Sequence, residues 1–431
     1  MKLEIKRIKV NDIIFGDETI VKDGVLTLNK EELITELKKV PGVVDVALDF
    51  AFPGDEIRII PVKDVIEPRV TVSPKGVRGF SGVNADIVQL GDGVVHALDE
   101  VAIVTIGDIV GFQEGVIDMW GEGAKWTPFS KTKNIVVDLK CDKSLKPHEH
   151  EATVREAGLL ASELIGLAGK DCTKFVKEEV YEMGMPDEET KKYPNLPKVV
   201  YVEMLISQGL LHDGFCYGIN TRFTLPTLLH PNEELDGAVI SGNCVAACDK
   251  ITTYQHQNNS VIKSLYARHG KDINFVGVVI SPELTTLDGK FRNADFVSKL
   301  CSQLGAQGVI VSEEGYGNPD SDLVMIAERL EKKGIVTVLI TDECSGWDGL
   351  SQPLTDAKPE AKAVISTGNV SKVVHLGKAK KILGDPESIA NLAGGWAGAY
   401  DPETGTMSCE LNAVIGATSE IGFHNCTIKV L

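Results

Sequence analysis

The sequence predicts an α/β protein, with a β-rich N-terminal region followed by a doubly wound, mostly parallel sheet region. In the front third, short alternating apolar segments are separated by Pro- and Gly-bearing breaks. In the back third, near-continuous apolar runs at 273–280, 308–312 and 335–340 alternate with segments of helical period. Strands buried on both faces and interleaved with helices make a parallel sheet wrapped by helices. The chain of 431 residues, 43% hydrophobic and 25% charged, has the composition of a globular protein and exceeds one ordinary core. The expected organisation is a β-rich region over 1–145, an α/β region over 146–243 and a doubly wound α/β region over 244–431.

Taken in order, 46–52, 56–62 and 69–72 read as strands, and the β-branched run 101–106 as a buried strand. From 150 to 168, after Pro147, apolar residues recur at helical spacing and give one face of Val154, Ala157, Leu160, Ala161 and Leu164. The polar, Pro-bearing stretch 187–198 reads as a surface connection, and 199–205 as a strand. A helix is expected over 245–254. Beyond it come the strand 273–280, a helix over 294–304, the strand 308–312, a helix over 322–333 and the strand 335–340. Segments 363–366 and 372–376 are expected to extend the same sheet.

A formal charge of −18 argues against a nucleic-acid or anionic-membrane partner, because binding phosphates needs clustered Lys and Arg. No stretch reaches the apolar length of a bilayer span, and the N-terminus lacks a signal-peptide apolar core. Nine cysteines without a repeating spacing read as reduced thiols, so a cytoplasmic location is expected. The glycine-rich pieces at 77–82 and 393–398 lack the spacing and the strand-turn-helix context of a dinucleotide fingerprint. Walker, Gly-x-Ser-x-Gly and Cys-x-x-Cys patterns are missing, so no nucleotide cofactor is expected. His148, His150 and Cys141 do not match a structural zinc spacing and read as solvated residues at a helix start. No metal is expected.

The most informative feature is Ser241-Gly-Asn-Cys-Val-Ala-Ala-Cys248. The Cys244 thiolate is strongly nucleophilic and lies within reach of the carbonyl carbon before it, with Gly242 to permit a strained approach. An N-to-S acyl shift at Asn243–Cys244 is therefore geometrically possible. Elimination at Cys244 would then split the chain, and the new N-terminus would become a pyruvoyl ketone. A helix starting beside Cys244 would favour the thiolate and offer N–H donors to the tetrahedral oxyanion. His256 is the candidate proton shuttle for this processing, and Cys248, one turn beyond Cys244, reads as packing.

The segment 236–249, together with Pro61-Val-Lys-Asp-Val-Ile-Glu-Pro-Arg69 and Glu313-Glu-Gly-Tyr-Gly-Asn-Pro-Asp320, resembles the component B proproteins of clostridial glycine, sarcosine and betaine reductases over nearly the whole chain. The resemblance implies that Cys244 becomes the pyruvoyl group, with Asn243 as the new C-terminus of the front fragment. It further implies a Schiff base between that carbonyl and the substrate amine, and reductive C–N cleavage by selenocysteine attack from a partner. The implied partners are the selenoprotein subunit of component B and selenoprotein A, in a hetero-oligomer, with acetyl phosphate formed on component C. Longer D-proline reductase proproteins share the pyruvoyl logic. The alternatives are an unprocessed scaffold that docks the selenoprotein, and a cysteine hydrolase pairing Cys244 with His256.

Ligands of open parallel sheets bind beyond the carboxyl ends of the strands. Three such ends are acidic here: 281–283, 313–318 and 341–344. Glu313 and Glu314 are the leading candidates to hold the ammonium of an amino acid or methylamine and to accept its proton, with Asp342 and Cys344 behind them.

Overall fold

A computed structural model describes residues 1–73, 79–111, 115–207, 214–242 and 251–422. The front region is β-rich. Strand Lys2–Lys9 lies between Gly93–Asp99, to which it is parallel, and Lys177–Glu182, to which it is antiparallel; Arg69–Ser73 closes that four-stranded sheet. A second sheet has the order Val43–Ala51, Lys133–Cys141, Val101–Gly107 and Val62–Ile66.

Helix Pro147–Gly166 packs on this second sheet. Its residues Val154, Ala157, Ala161 and Ile165 share a core with Ile66, Ile103, Ile135, Val137 and Leu139. Burying a side chain of this kind is worth about 1.5–3 kcal/mol, so packing holds the helix more than propensity does. The period-3.6 stripe read from sequence is the buried one, although Leu160 and Leu164 are only half-buried.

The central sheet has six strands in the order Thr227–Leu229, Asn274–Glu283, Lys198–Ile206, Gly308–Ser312, Val336–Glu343 and Val364–Asn369. All neighbours are parallel except the short first strand, which is antiparallel to its partner. Both faces are covered, as a parallel sheet requires. Val200, Val202 and Met204 pack with helices Leu287–Gln303 and Asn318–Glu331, while Tyr201 and Leu205 point the other way, into a core with Ile262 and Leu265 of helix Ser260–Arg268.

The sheets join residues on either side of the expected boundaries at 145 and 243. Lys2–Lys9 pairs with Lys177–Glu182 across the first. Across the second, Lys198–Ile206 is inserted between Asn274–Glu283 and Gly308–Ser312, and Lys381–Gly384 pairs with Ile57–Ile60.

Three local expectations are corrected. Residues 187–198 are not simply a connection, because helix Pro186–Lys192 forms there. Pro at its first position suits a helix start, Glu188 accepts a hydrogen bond from the Met185 N–H at 2.8 Å, and acidic first-turn and basic last-turn residues complement the helix dipole. Strand Val373–Leu376 does not extend the parallel sheet but pairs antiparallel with Met407–Glu410. An alternating pattern identifies a strand and not its partner. Finally, the helix after the junction starts at Thr253, since Thr252 has extended backbone and caps it, with its hydroxyl accepting from Gln255 N–H. The expected 245–250 part of that helix lies outside the described residues.

Candidate active site at the parallel-sheet edge

Asn243, Cys244 and Cys248 lie outside the described residues; the chain on either side of them does not. Upstream, strand Val239–Ser241 is buried, and the Ser241 N–H donates to Thr253 Oγ at 3.0 Å. Thr253 is in turn held by Asp64 of strand Val62–Ile66: its hydroxyl donates to one carboxylate oxygen at 2.6 Å and its N–H to the other at 3.0 Å. The entry and exit of the segment bearing the junction are thus fixed to one another through a single threonine.

Residues 251–260 are buried without exception, and a cage of front-region groups holds them. The Glu67 N–H donates to Gln257 Oε1 at 2.9 Å, Arg69 donates to the Gln257 carbonyl at 2.8 Å, and Arg7 to Asn258 Oδ1 at 2.8 Å. Arg7 and Arg69 both pair with the buried Glu67. Burial alone would raise the Glu67 pKa, but the two guanidiniums outweigh it and hold the carboxyl well below its usual range. Asp64, Glu67 and Arg69 all belong to the 61–69 motif singled out in the sequence.

The three acidic strand ends converge on the same edge. They are not solvated turns: Glu283, Glu313 and Asp342 are completely buried and Glu314 nearly so. Glu314 accepts from the Ile206 N–H and from the Ile251 N–H, each at 2.9 Å, so its carboxyl ties the end of the central strand to the first described residue past the junction. Its own N–H donates to Glu283 Oε1 at 3.0 Å. Glu313 accepts from the Thr341 hydroxyl. Burial first, then neighbouring carboxyls, push Glu283 and Glu313 far above the ordinary carboxylate range. The nearby Lys290 is engaged with Asp322.

A second buried group lies beside the first. Glu203 of the central strand, Glu234 of helix Pro231–Leu235 and His256 of helix Thr253–Gln257 place their polar atoms within 4.8 Å of one another. His256 Nδ1 is 3.0 Å from Glu203 Oε1, and Asn259 donates to Glu234 Oε1 at 2.5 Å. Burial pushes Glu203 up to about 8 and Glu234 well above its ordinary value, Glu234 being raised further by the facing Glu203. Among the described residues these three are the one group of His, Cys, Asp and Glu side chains close enough to share a cation.

Of the residues nominated from sequence, Glu313, Glu314, Asp342 and His256 are all buried at or next to this edge. Cys344 is a half-buried thiol 3.5 Å from the Ser371 hydroxyl. At the start of helix Pro147–Gly166, His148 is exposed, but His150 and Cys141 are not the solvated residues expected: His150 packs in the interior beside Glu151, which pairs with Lys63, and Cys141 is buried at the end of strand Lys133–Cys141. Sequence reasoning missed Asp64, Glu203 and Glu234, and quoted Glu283 without nominating it. For Asp64 and Glu203 the available signal was a carboxylate embedded in a strand that otherwise reads as apolar; Glu234, in the short polar helix Pro231–Leu235, offered none.

A family model described as glycine/sarcosine/betaine reductase component B subunits matches residues 1–429. The chain is 48% identical over 430 residues to the glycine reductase complex component B subunits alpha and beta of Peptoclostridium acidaminophilum, with 100% of both chains covered. It is also 44% identical to the sarcosine reductase complex component B subunit alpha and 39% identical to the betaine reductase complex component B subunit alpha of the same organism, again over the full length of each. No solved structure matches the chain.

Proposed function

We propose, from the premise that the chain belongs to the glycine/sarcosine/betaine reductase component B family, that it is the precursor of the substrate-activating part of such a reductase. In this reading the backbone breaks between Asn243 and Cys244, and Cys244 becomes a pyruvoyl group at the head of the 244–431 fragment. The carbonyl condenses with the substrate amine and withdraws electrons from the carbon–nitrogen bond, so that selenocysteine from a partner subunit displaces the nitrogen. Selenoprotein A and the selenoprotein subunit of component B are the proposed partners, in the cytoplasm.

The observation that carries the reading is the double anchoring of the junction: Ser241 to Thr253 and Asp64 on one side, Ile251 to Glu314 on the other. A loop whose two ends are pinned loses less entropy on reaching a strained attack geometry. The buried carboxyls around it suit a site that must accept a cationic amine away from water. Glu313 and Asp342, with Glu283 beside them, are the proposed ammonium-holding groups. Glu314 fixes the Ile206 and Ile251 backbones beside them. Glycine is the preferred substrate among the three, because identity falls from the glycine-named to the sarcosine- and betaine-named relatives. The test is amine trapping: purified complex treated with borohydride and each substrate in turn should fix glycine or sarcosine on the 244–431 fragment. Trapping on a lysine instead would overturn the assignment.

A further inference from the structure

We propose that Glu203, Glu234 and His256 form a buried proton relay that moves the protons needed to convert Cys244 into the pyruvoyl group. The proposal deepens the reading above and rests on it. Glu203 and Glu234 lie upstream of the junction and His256 downstream, on three different elements. All three residues are at most 1% exposed. Among the described residues, neither carboxyl has a lysine or arginine partner, and Glu203 Oε2 and Glu234 Oε2 meet no N–H or hydroxyl donor. The polar atoms of the two carboxyls and the imidazole lie within 4.8 Å of one another, and burial raises both carboxyls above their ordinary range, Glu234 further through the facing Glu203.

A purely structural role does not account for this arrangement. Two facing buried carboxyls without a cation cost more than apolar groups of the same shape, and Glu203 occupies the middle of a strand whose neighbours Val202 and Met204 are apolar and fully buried. The group also lies near the described end of the junction segment. The His256 N–H donates to the Thr252 carbonyl at 3.1 Å, so the imidazole stands one helical turn from the end of the junction segment. The groups facing Glu203 and Glu234 are Tyr201, Cys216, Glu314, His256 and Asn259.

The chemistry requires two proton transfers and one co-reactant, water. In the acyl shift the C–S bond forms, the C–N bond breaks, and the thiol proton ends on the departing amine nitrogen. In the elimination the Cα proton leaves, the Cβ–S bond breaks, and Asn243 departs as a thiocarboxylate. Returning that proton to Cβ gives an iminium, which water converts to the ketone with release of ammonium. Each transfer needs a group that first takes a proton and then gives it back, and two buried carboxyls of raised proton affinity beside an imidazole do both.

The test follows cleavage of freshly synthesised full-length chain by intact mass over time. E203Q, E234Q and H256Q should each slow the break by about 10²-fold or more, the ordinary yield of general acid–base catalysis. Thermal melts identify the variants that fold. Should the glutamine variants not fold, the wild-type profile decides: cleavage should show a limb governed by the carboxyl pair on the alkaline side of neutrality. Folded variants that cleave at the wild-type rate, a flat wild-type profile, or one equivalent of divalent metal in the purified protein that E234Q abolishes, would each overturn the relay. A wild-type chain that never cleaves would instead sink the underlying reading.

Discussion

Ser241 and Thr253, twelve residues apart in sequence, are joined by a backbone-to-hydroxyl hydrogen bond of 3.0 Å, and the same hydroxyl donates to Asp64. Thr253 thereby links the strand before the junction, the helix after it and the 61–69 motif far upstream. Thr253→Val keeps the shape and removes both hydroxyl interactions, leaving a buried Ser241 N–H and an Asp64 oxygen with fewer partners. The expected loss of stability is about 1–3 kcal/mol, seen as a lower denaturation midpoint, together with slower chain cleavage. Unchanged cleavage in the folded variant would show that the clamp does not matter to the junction.

Cys244→Ala is expected to give a folded, uncleaved and inactive protein. The change removes the nucleophile on which the acyl shift depends, and no other thiol can substitute for it in the same five-membered geometry. Intact mass and a thermal melt, run together, separate lost processing from lost folding. Turnover at the wild-type rate would rule out a pyruvoyl derived from this residue.

Much of the architecture was legible because its strands are apolar runs of the right length and its principal helices carry a buried stripe. The parallel run of Asn274–Glu283, Gly308–Ser312 and Val336–Glu343 was legible from strands alternating with helices, whereas the insertion of Lys198–Ile206 between the first two was not. Partner choice was less legible: nothing in residues 372–376 distinguishes pairing with Met407–Glu410 from extension of the large sheet. The acidic strand ends were found from a general rule about where ligands bind. Glu203 was passed over because it lies inside a strand that reads as apolar, and Asp64 because its partner, Thr253, is 189 residues away in sequence. Such pairings are set by tertiary approach, which local pattern does not encode.

The carboxyl pair also sets a dependence of stability on pH. The folded-state pKa of Glu203 is raised to about 8, well above the value of about 4.3 for an unperturbed glutamate. The folded chain therefore binds more protons than the unfolded one between these values, and this group's contribution to stability is present below about pH 4.3 and lost as pH rises toward 8. The loss is at most about 1.4 kcal/mol per pH unit per proton. E203Q has no such proton to release, so wild type should lose stability relative to E203Q as pH rises from 5 to 8 in denaturant titrations. Parallel curves for the two proteins would contradict the raised value.

Cleavage should not release the fragments from each other. Lys198–Ile206, in the front fragment, is hydrogen-bonded on both sides by strands of the back fragment, and residues 251–260 are enclosed by front-region groups. The fragments are expected to co-elute on dilution in native buffer and to separate only in denaturant. Separation on simple dilution would mean that the sheet does not survive the break.

The central claim is tested most directly by the intact mass of natively purified, working complex. The account predicts two polypeptides, residues 1–243 and residues 244–431, the second blocked to Edman degradation and reactive toward hydrazine. An unbroken 431-residue chain in fully active complex would contradict it.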